Sequence, residues 1–327
     1  MRLDIALEVF DSMAPVFLLI LFGWLAVHFG FLEKEAKRVC STIVTNFTFP
    51  ALLFNETYRA QPSEIFDLTW IAAFTIAMCS MWLIGFALNR TMMRKSLRES
   101  SMLALLCSFP NMGGMGIPFL ALLIGPASAI SVAVANVIVA ITVIPATLFV
   151  LELGAAAASG GTGGRGLQIF GSAIVSALKK PMVFSVILGL LVSTTGTAQY
   201  LPKAMTSALD ITTKASNFIS LFTVGVSIYG TKVALTRSLS LNLSLKCLIN
   251  PAIVWCLVMV LGLTGSRAEE MIFLLVMPTA TNAAILAIQW NVMEREAASL
   301  YMATTALSLM ILPLQRILMV QYLPGVA

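Results

Sequence analysis

The chain has 327 residues, 59% of them hydrophobic and 11% charged, with a mean hydropathy of +0.94 and a formal charge of +5. Soluble domains carry about 25% charged residues, so this composition excludes a soluble globular fold. At roughly 20 residues per crossing the length holds about ten membrane helices, and the cationic surplus is of the kind that collects in cytoplasmic loops rather than a nucleic-acid footprint.

The first apolar run, 13–27, follows Asp4, Glu8 and Asp11 against a single Arg2. That is the wrong charge for a secretory signal, and the run reads as the first span, 10–30. Apolar stretches bounded by charges or turn residues place the other spans at 36–55, 68–90, 99–124, 127–152, 179–196, 203–230, 240–263, 267–290 and 296–320. The second and seventh are the least apolar, with Thr42, Thr45, Asn46 and Thr48 in one and Thr212, Thr213, Ser216 and Asn217 in the other. Such helices belong inside a bundle. Between the fifth and sixth spans runs a Gly-, Ala- and Ser-rich stretch, 154–166, read as a flexible cytoplasmic linker. The expected fold is all-α integral membrane, ten helices in two five-helix halves, 1–153 and 169–327, joined by a linker over 154–168.

The halves match each other. Pro110 and Pro278 each interrupt a long span, and Pro145 and Pro313 each sit late in the next one; both pairs are 168 residues apart. Loops after odd-numbered spans carry 14 of the 20 Lys and Arg residues, Lys246 counted among them. The positive-inside rule then puts both termini outside the cytoplasmic membrane. Five crossings is an odd number, so the second half enters the membrane inverted, a recurring carrier design with substrate held near the midplane.

The fourth span contains Phe109-Pro110-Asn111-Met112-Gly113-Gly114-Met115-Gly116-Ile117-Pro118. Proline removes a backbone donor and glycine permits unwinding, so the helix must break here. Residues 99–109 span about 16 Å as helix, about half the hydrocarbon thickness, which puts the break near the midplane. The ninth span repeats it at Pro278-Thr279-Ala280-Thr281-Asn282. Paired breaks of this kind are the best sequence pointer to a carrier's binding site. Each starts a half-helix whose free N–H groups favour a carboxylate. The candidate substrate-binding residues are Asn111, Gly113, Gly114, Gly116, Thr279, Thr281 and Asn282, with Pro110, Pro118 and Pro278 as breakers. Asn46, Asn136 and Ser227 are candidate ion or substrate ligands.

Other features carry less. The five cysteines form no CxxC pair, the 18 methionines follow no ligand spacing, and His28 is the single histidine. No catalytic constellation, metal site or cofactor is expected. Asp210 and Lys214 are spaced to pair along a helix. No acidic residue falls mid-span; Glu269 and Glu270 lie near a span end. Substrate charge must then be met by dipoles and neutral donors, since no midplane cation is expected, and sodium coupling, proton coupling and uniport stay open.

Residues 111–118, Asn-Met-Gly-Gly-Met-Gly-Ile-Pro, resemble the Asn-x-Gly-x-x-Gly-x-Pro signature of the auxin efflux carrier family, within the bile acid/auxin transporter superfamily. The resemblance runs through Leu-Phe-Thr-Val-Gly-Val-Ser at 221–227 and Met-Pro-Thr-Ala-Thr-Asn at 277–282. It implies ten helices, the fourth and ninth crossing at their breaks and the first, second, sixth and seventh forming a scaffold. It also implies transport of carboxylates, bacterial members including malonate and malate carriers. The expected partners are a small carboxylate and membrane lipid, with a homodimer left open and no nucleic acid. A sodium-coupled symporter of the bile-acid type, or a membrane sensor that binds without translocating, are the alternatives.

Overall fold

The computed structural model describes residues 2–33, 35–59, 67–158, 181–230 and 235–326. The helices among them are α1 (Arg2–His28), α2 (Ala36–Ile43), α3 (Phe49–Arg59), α4 (Leu68–Thr91), α5 (Leu97–Ser108), α6 (Ile117–Leu123), α7 (Ala129–Ile141), α8 (Val143–Ala158), α9 (Pro181–Thr195), α10 (Lys203–Ile228), α11 (Arg237–Ser244), α12 (Asn250–Val260), α13 (Gly265–Val276), α14 (Thr281–Gln289) and α15 (Glu294–Tyr322). No strand occurs among the described residues. The stretches Leu68–Thr91, Pro126–Ala155, Arg237–Val260 and Glu294–Tyr322 are long and apolar enough to cross a membrane.

Local chemistry sets the helix starts. Asp67 Oδ1 accepts from Trp70 N at 3.0 Å ahead of α4. Ser96 and Glu99 cap each other's backbone N–H groups ahead of α5, at 3.2 and 2.9 Å. Thr236 Oγ1 accepts from Leu239 N at 3.0 Å ahead of α11. Each removes an orphan donor of a first turn. At the other end of the first half, α8 continues to Ala158, so residues 154–158 of the expected linker are helical; residues 159–180 lie outside the described set.

Three wide turns with i→i−5 hydrogen bonds interrupt the helices, at Val44–Thr48, Met112–Gly116 and Leu245–Ile249. Each is followed, one residue on, by a proline: Pro50, Pro118 and Pro251. A proline ring collides with the carbonyl four residues back and supplies no N–H. Widening the preceding turn relieves both problems. The residue before each proline bonds five back instead, Phe49 to Val44, Ile117 to Met112 and Asn250 to Leu245.

Helices α1, α3, α9 and α10 pack on one another, as do α4, α5 and α8; α7 meets α3, and α15 meets α1. The α1–α10 contact is close because glycine faces backbone on both sides. A Cβ at Gly23 would overlap the Phe222 carbonyl oxygen, and one at Gly225 would overlap that of Ile20. This is the small-residue packing that lets membrane helices approach where no hydrophobic force separates them from lipid. Phe22, Ile76, Leu83, Met259 and Met310 point outward and are exposed, as lipid-facing positions are. His28 stacks on Trp24 at 4.8 Å, with Tyr229 edge-on to both rings.

The interior is more polar than the sequence implied. Asn89 and Asn242 exchange side-chain hydrogen bonds at 2.8 and 3.1 Å. Glu269 pairs with Arg316, and Glu270 Oε2 accepts from Ser131 Oγ at 2.5 Å and lies 3.4 Å from Arg267. Lys246, expected in a loop, is 2% exposed within the Arg237–Val260 stretch, so it leaves the loop tally and contradicts the expectation of no cation at depth. Asp210 pairs with Arg59 at 2.9 Å and accepts from Asn55 at 3.1 Å, rather than with Lys214: Arg59 approaches from α3, where its longer reach and planar head meet the carboxylate directly.

Candidate functional site

The two breaks meet. Helix α5 ends at Ser108, Phe109 turns extended, and the chain re-enters helix at Met112. Helix α13 ends at Val276, and α14 begins at Thr281. Asn111 N donates to Pro278 O at 2.7 Å, and Ala280 N donates to Phe109 O at 2.9 Å. They flank an isolated antiparallel bridge between Pro110 and Thr279. Irregular backbone survives at membrane depth only where protein or water satisfies it, and here each break supplies the other's partners. Thr279 completes the junction. Its backbone N–H donates to Thr304 Oγ1 at 3.1 Å, and its hydroxyl donates to Leu106 O, an end carbonyl of α5, at 3.0 Å.

Asn111 is the pivot. It is 4% exposed, and its Oδ1 accepts from Gly114 N at 3.2 Å, capping the helical stretch that follows. Its backbone carbonyl accepts from Met115 N and Gly116 N at 3.2 and 3.0 Å. With Oδ1 held by an N–H, the amide's other end must be Nδ2, and Nδ2 has no hydrogen-bond partner among the described residues. A buried donor left unpaired costs about 1–3 kcal/mol. The glycines make room for this geometry. A Cβ at Gly114 would lie 2.7 Å from Asn111 Oδ1, and one at Gly116 would lie 3.3 Å from Leu274.

A small, partly open cavity lies at the junction. Of the expected site residues, Pro110, Asn111, Gly113, Gly114, Asn136, Thr281 and Asn282 line it. Thr281 and Asn282 form the first turn of α14, and Asn136 Nδ2 is tied back to Val132 O at 2.9 Å, leaving its amide oxygen as the end that can turn to the cavity. Thr279, Gly116, Pro118 and Pro278 are not among the lining residues; Thr279, with no exposed surface, is consumed by the brace. Asn46 is exposed and lies outside the lining. The side chain of Ser227 lies outside the described set.

The lining also includes residues not assigned a role from sequence: Val44, which opens the first wide turn, Phe49, which follows it, and Thr223 and Val224 of α10. The hydroxyl content of the second span was the available signal, but it pointed to Asn46 rather than to the apolar face. Among the described residues no ionisable side chain lines the cavity. Its polarity is that of amides, hydroxyls and two helix beginnings, Met112 and Thr281. Helix starts carry partial positive charge, so the arrangement can bind an anion without a lysine or arginine in contact.

The family model described as "Membrane transport protein" matches residues 8–162 and 163–316. The chain is 24% identical over 289 residues to a protein of Escherichia coli strain K12 named "Uncharacterized transporter YfdV", covering 87% of this chain and 89% of the relative. It is 24% identical over 310 residues to a protein of Rhizobium meliloti named "Putative malonate transporter", covering 92% of each.

Proposed function

The chain belongs to the membrane transport protein family, the auxin efflux carriers its motifs resemble, and is a multi-pass membrane transporter rather than an enzyme; from that premise we propose that it carries a small organic anion across the cytoplasmic membrane by alternating access. The substrate class is a mono- or dicarboxylate, such as malonate or malate, or an auxin-like acid. The observation that carries the reading is the unpaired Asn111 Nδ2 at the wall of a neutral cavity between two helix beginnings. A carboxylate oxygen seated there would accept from Nδ2 and be favoured by both helix starts. The malonate in the name of the Rhizobium meliloti relative fits the same chemistry.

Ten crossings arranged as two inverted repeats, with the fourth and ninth crossing at their breaks, belong to this reading. Two contacts support it. Thr48 and Ser216, separated by the 168-residue offset of the proline pairs, hydrogen-bond to each other at 3.3 Å. The Pro110–Thr279 bridge likewise joins near-equivalent positions. Residues related by a two-fold touch only beside the axis, and inverted repeats have such an axis in the membrane plane. Alternating access would rock the group containing α1, α3, α9 and α10 against the group holding the junction.

The test is competition in proteoliposomes. Radiolabelled malonate uptake should be inhibited by free dicarboxylates and not by their neutral diamides. Equal inhibition by the diamides would end the proposal of charge recognition.

A further inference from the structure

Lys246 has no role in the cavity, yet it is among the largest fully buried side chains of the protein. Among the described residues no carboxylate lies within ion-pair distance of it. Its Nζ lies 3.3 Å from Leu275 O, and Asn250 Nδ2 donates to the same oxygen at 2.6 Å. Leu275 is the penultimate residue of α13, the half-helix that stops at the second break. Lys246 lies within the wide turn Leu245–Ile249 and Asn250 follows it, four residues on. One turn earlier stand neutral groups: Asn242, and the Cys107 thiol bonded to Asn242 Oδ1 at 3.0 Å.

The carbonyl end of a helix carries partial negative charge, and in carriers with broken helices such ends coordinate the coupling cation. We infer that the Lys246 ammonium is a tethered cation filling that place at the end of α13, so that the carrier moves its anion without sodium. The inference rests on the carrier reading above. It also supplies the positive charge the cavity itself lacks. A bare carbonyl end at the second break would repel an incoming carboxylate, and the ammonium cancels it without touching substrate. Lys246 is therefore a positioning residue, acting through the Leu275 carbonyl. Fixed to the chain, its charge cannot be released to either side of the membrane, as a coupling ion must be.

The experiment uses the full chain in liposomes with radiolabelled malonate, in sodium chloride and in choline chloride, beside melting temperatures in both salts. Wild-type uptake is expected to agree within about twofold between salts. Lys246→Met is expected to lose at least about tenfold in both, and Lys246→Ala to regain at least about fivefold when methylammonium is added. Sodium-dependent wild-type uptake, a sodium-specific rise in wild-type melting temperature, or wild-type rates from folded Lys246→Met would each overturn the inference. If Lys246→Met does not fold, Lys246→Ala purified with methylammonium present takes its place under the same two readouts. Wild-type protein that moves no carboxylate in either salt defeats the carrier reading instead. The tethered cation is then judged by melting alone: methylammonium that stabilises Lys246→Ala but not wild type upholds it, and no stabilisation overturns it.

Discussion

Asn111→Asp keeps the shape of residue 111 but replaces the Nδ2 donor with a negative charge. The carboxylate can still cap Gly114 N, as Oδ1 does at 3.2 Å, and aspartate is as good a helix cap as asparagine. The backbone bond from Asn111 N to Pro278 O is untouched. Folding should therefore survive. Binding should not. A hydrogen bond to a charged group contributes about 1.5–3 kcal/mol, and a second negative charge about 4 Å from the substrate adds up to about 4 kcal/mol at an effective dielectric of 20. At about 1.4 kcal/mol per tenfold, the smaller contribution alone is roughly tenfold, and the two together exceed about a thousandfold. Asn111→Ala behaves differently. It loses the cap, at about 0.5–2 kcal/mol of stability, and loses the donor without gaining repulsion. Uptake is measured with the melting temperature of each variant. Expected is an Asn111→Asp protein that melts within a few degrees of wild type and does not transport, beside an Asn111→Ala protein that is less stable and partly active. Wild-type uptake by folded Asn111→Asp would remove this residue from the site. Parallel loss of stability in both variants would make the amide a brace and nothing more.

Thr279→Val removes the hydroxyl that satisfies Leu106 O and should destabilise by about 1–3 kcal/mol, read as a fall in melting temperature, with malonate affinity retained by the folded fraction. Arg316→Met strands the buried Glu269 carboxylate and should destabilise by about 3–5 kcal/mol; calorimetry of detergent-solubilised protein checks it, and an unchanged melting temperature would show the pair to be dispensable. Gly225→Ala drives a methyl into the Ile20 carbonyl and should abolish a monodisperse protein on size exclusion, whereas Gly262→Ala, where a Cβ meets open space but φ is +65°, should cost only about 1–2 kcal/mol. Reporter fusions within 92–95 should be active only as cytoplasmic reporters, and a periplasmic reporter active there would reverse the assigned orientation.

The junction was legible because proline and glycine act locally. A proline without an N–H breaks its own helix wherever the chain goes next, and Pro110 and Pro278 sit between helix ends. That Phe109–Asn111 and Pro278–Ala280 would satisfy each other was not legible, since pairing across some 170 residues leaves no trace in either segment. Charges misled for the opposite reason. Lys246 is tallied with the loop charges although it falls within the 240–263 span; an isolated buried ammonium is costly, and the end of α13, distant in sequence, supplies it a partner in the Leu275 carbonyl. Glu269 and Glu270 were placed near a span end, where α13 has them, but their burial depends on Arg316, Arg267 and Ser131 from three directions. Thr279 stands out as a candidate ligand by composition, and that its N and hydroxyl are taken up by Thr304 and Leu106 was not legible in the segment itself.

The wide turns change what a helical projection of this chain means. Each inserts one residue into the winding, and one residue of α-helix is about 100° of rotation. Every side chain beyond Thr48 or Ile249 is therefore out of phase with the helical side chains before it. Pro50 and Pro251 do not end their helices; they set the angular offset between two faces of a continuous rod, whereas the turn before Pro118 opens its half-helix. Replacing Pro251 by alanine would remove the reason for the offset. The turn could then close to ordinary winding, and Val254 and Val258, now fully buried, would rotate away from their seats while Lys246 kept its own. Two halves of one helix would compete for a single rotational setting, so the proline works as a phase lock between the lysine's end of the rod and its packed end.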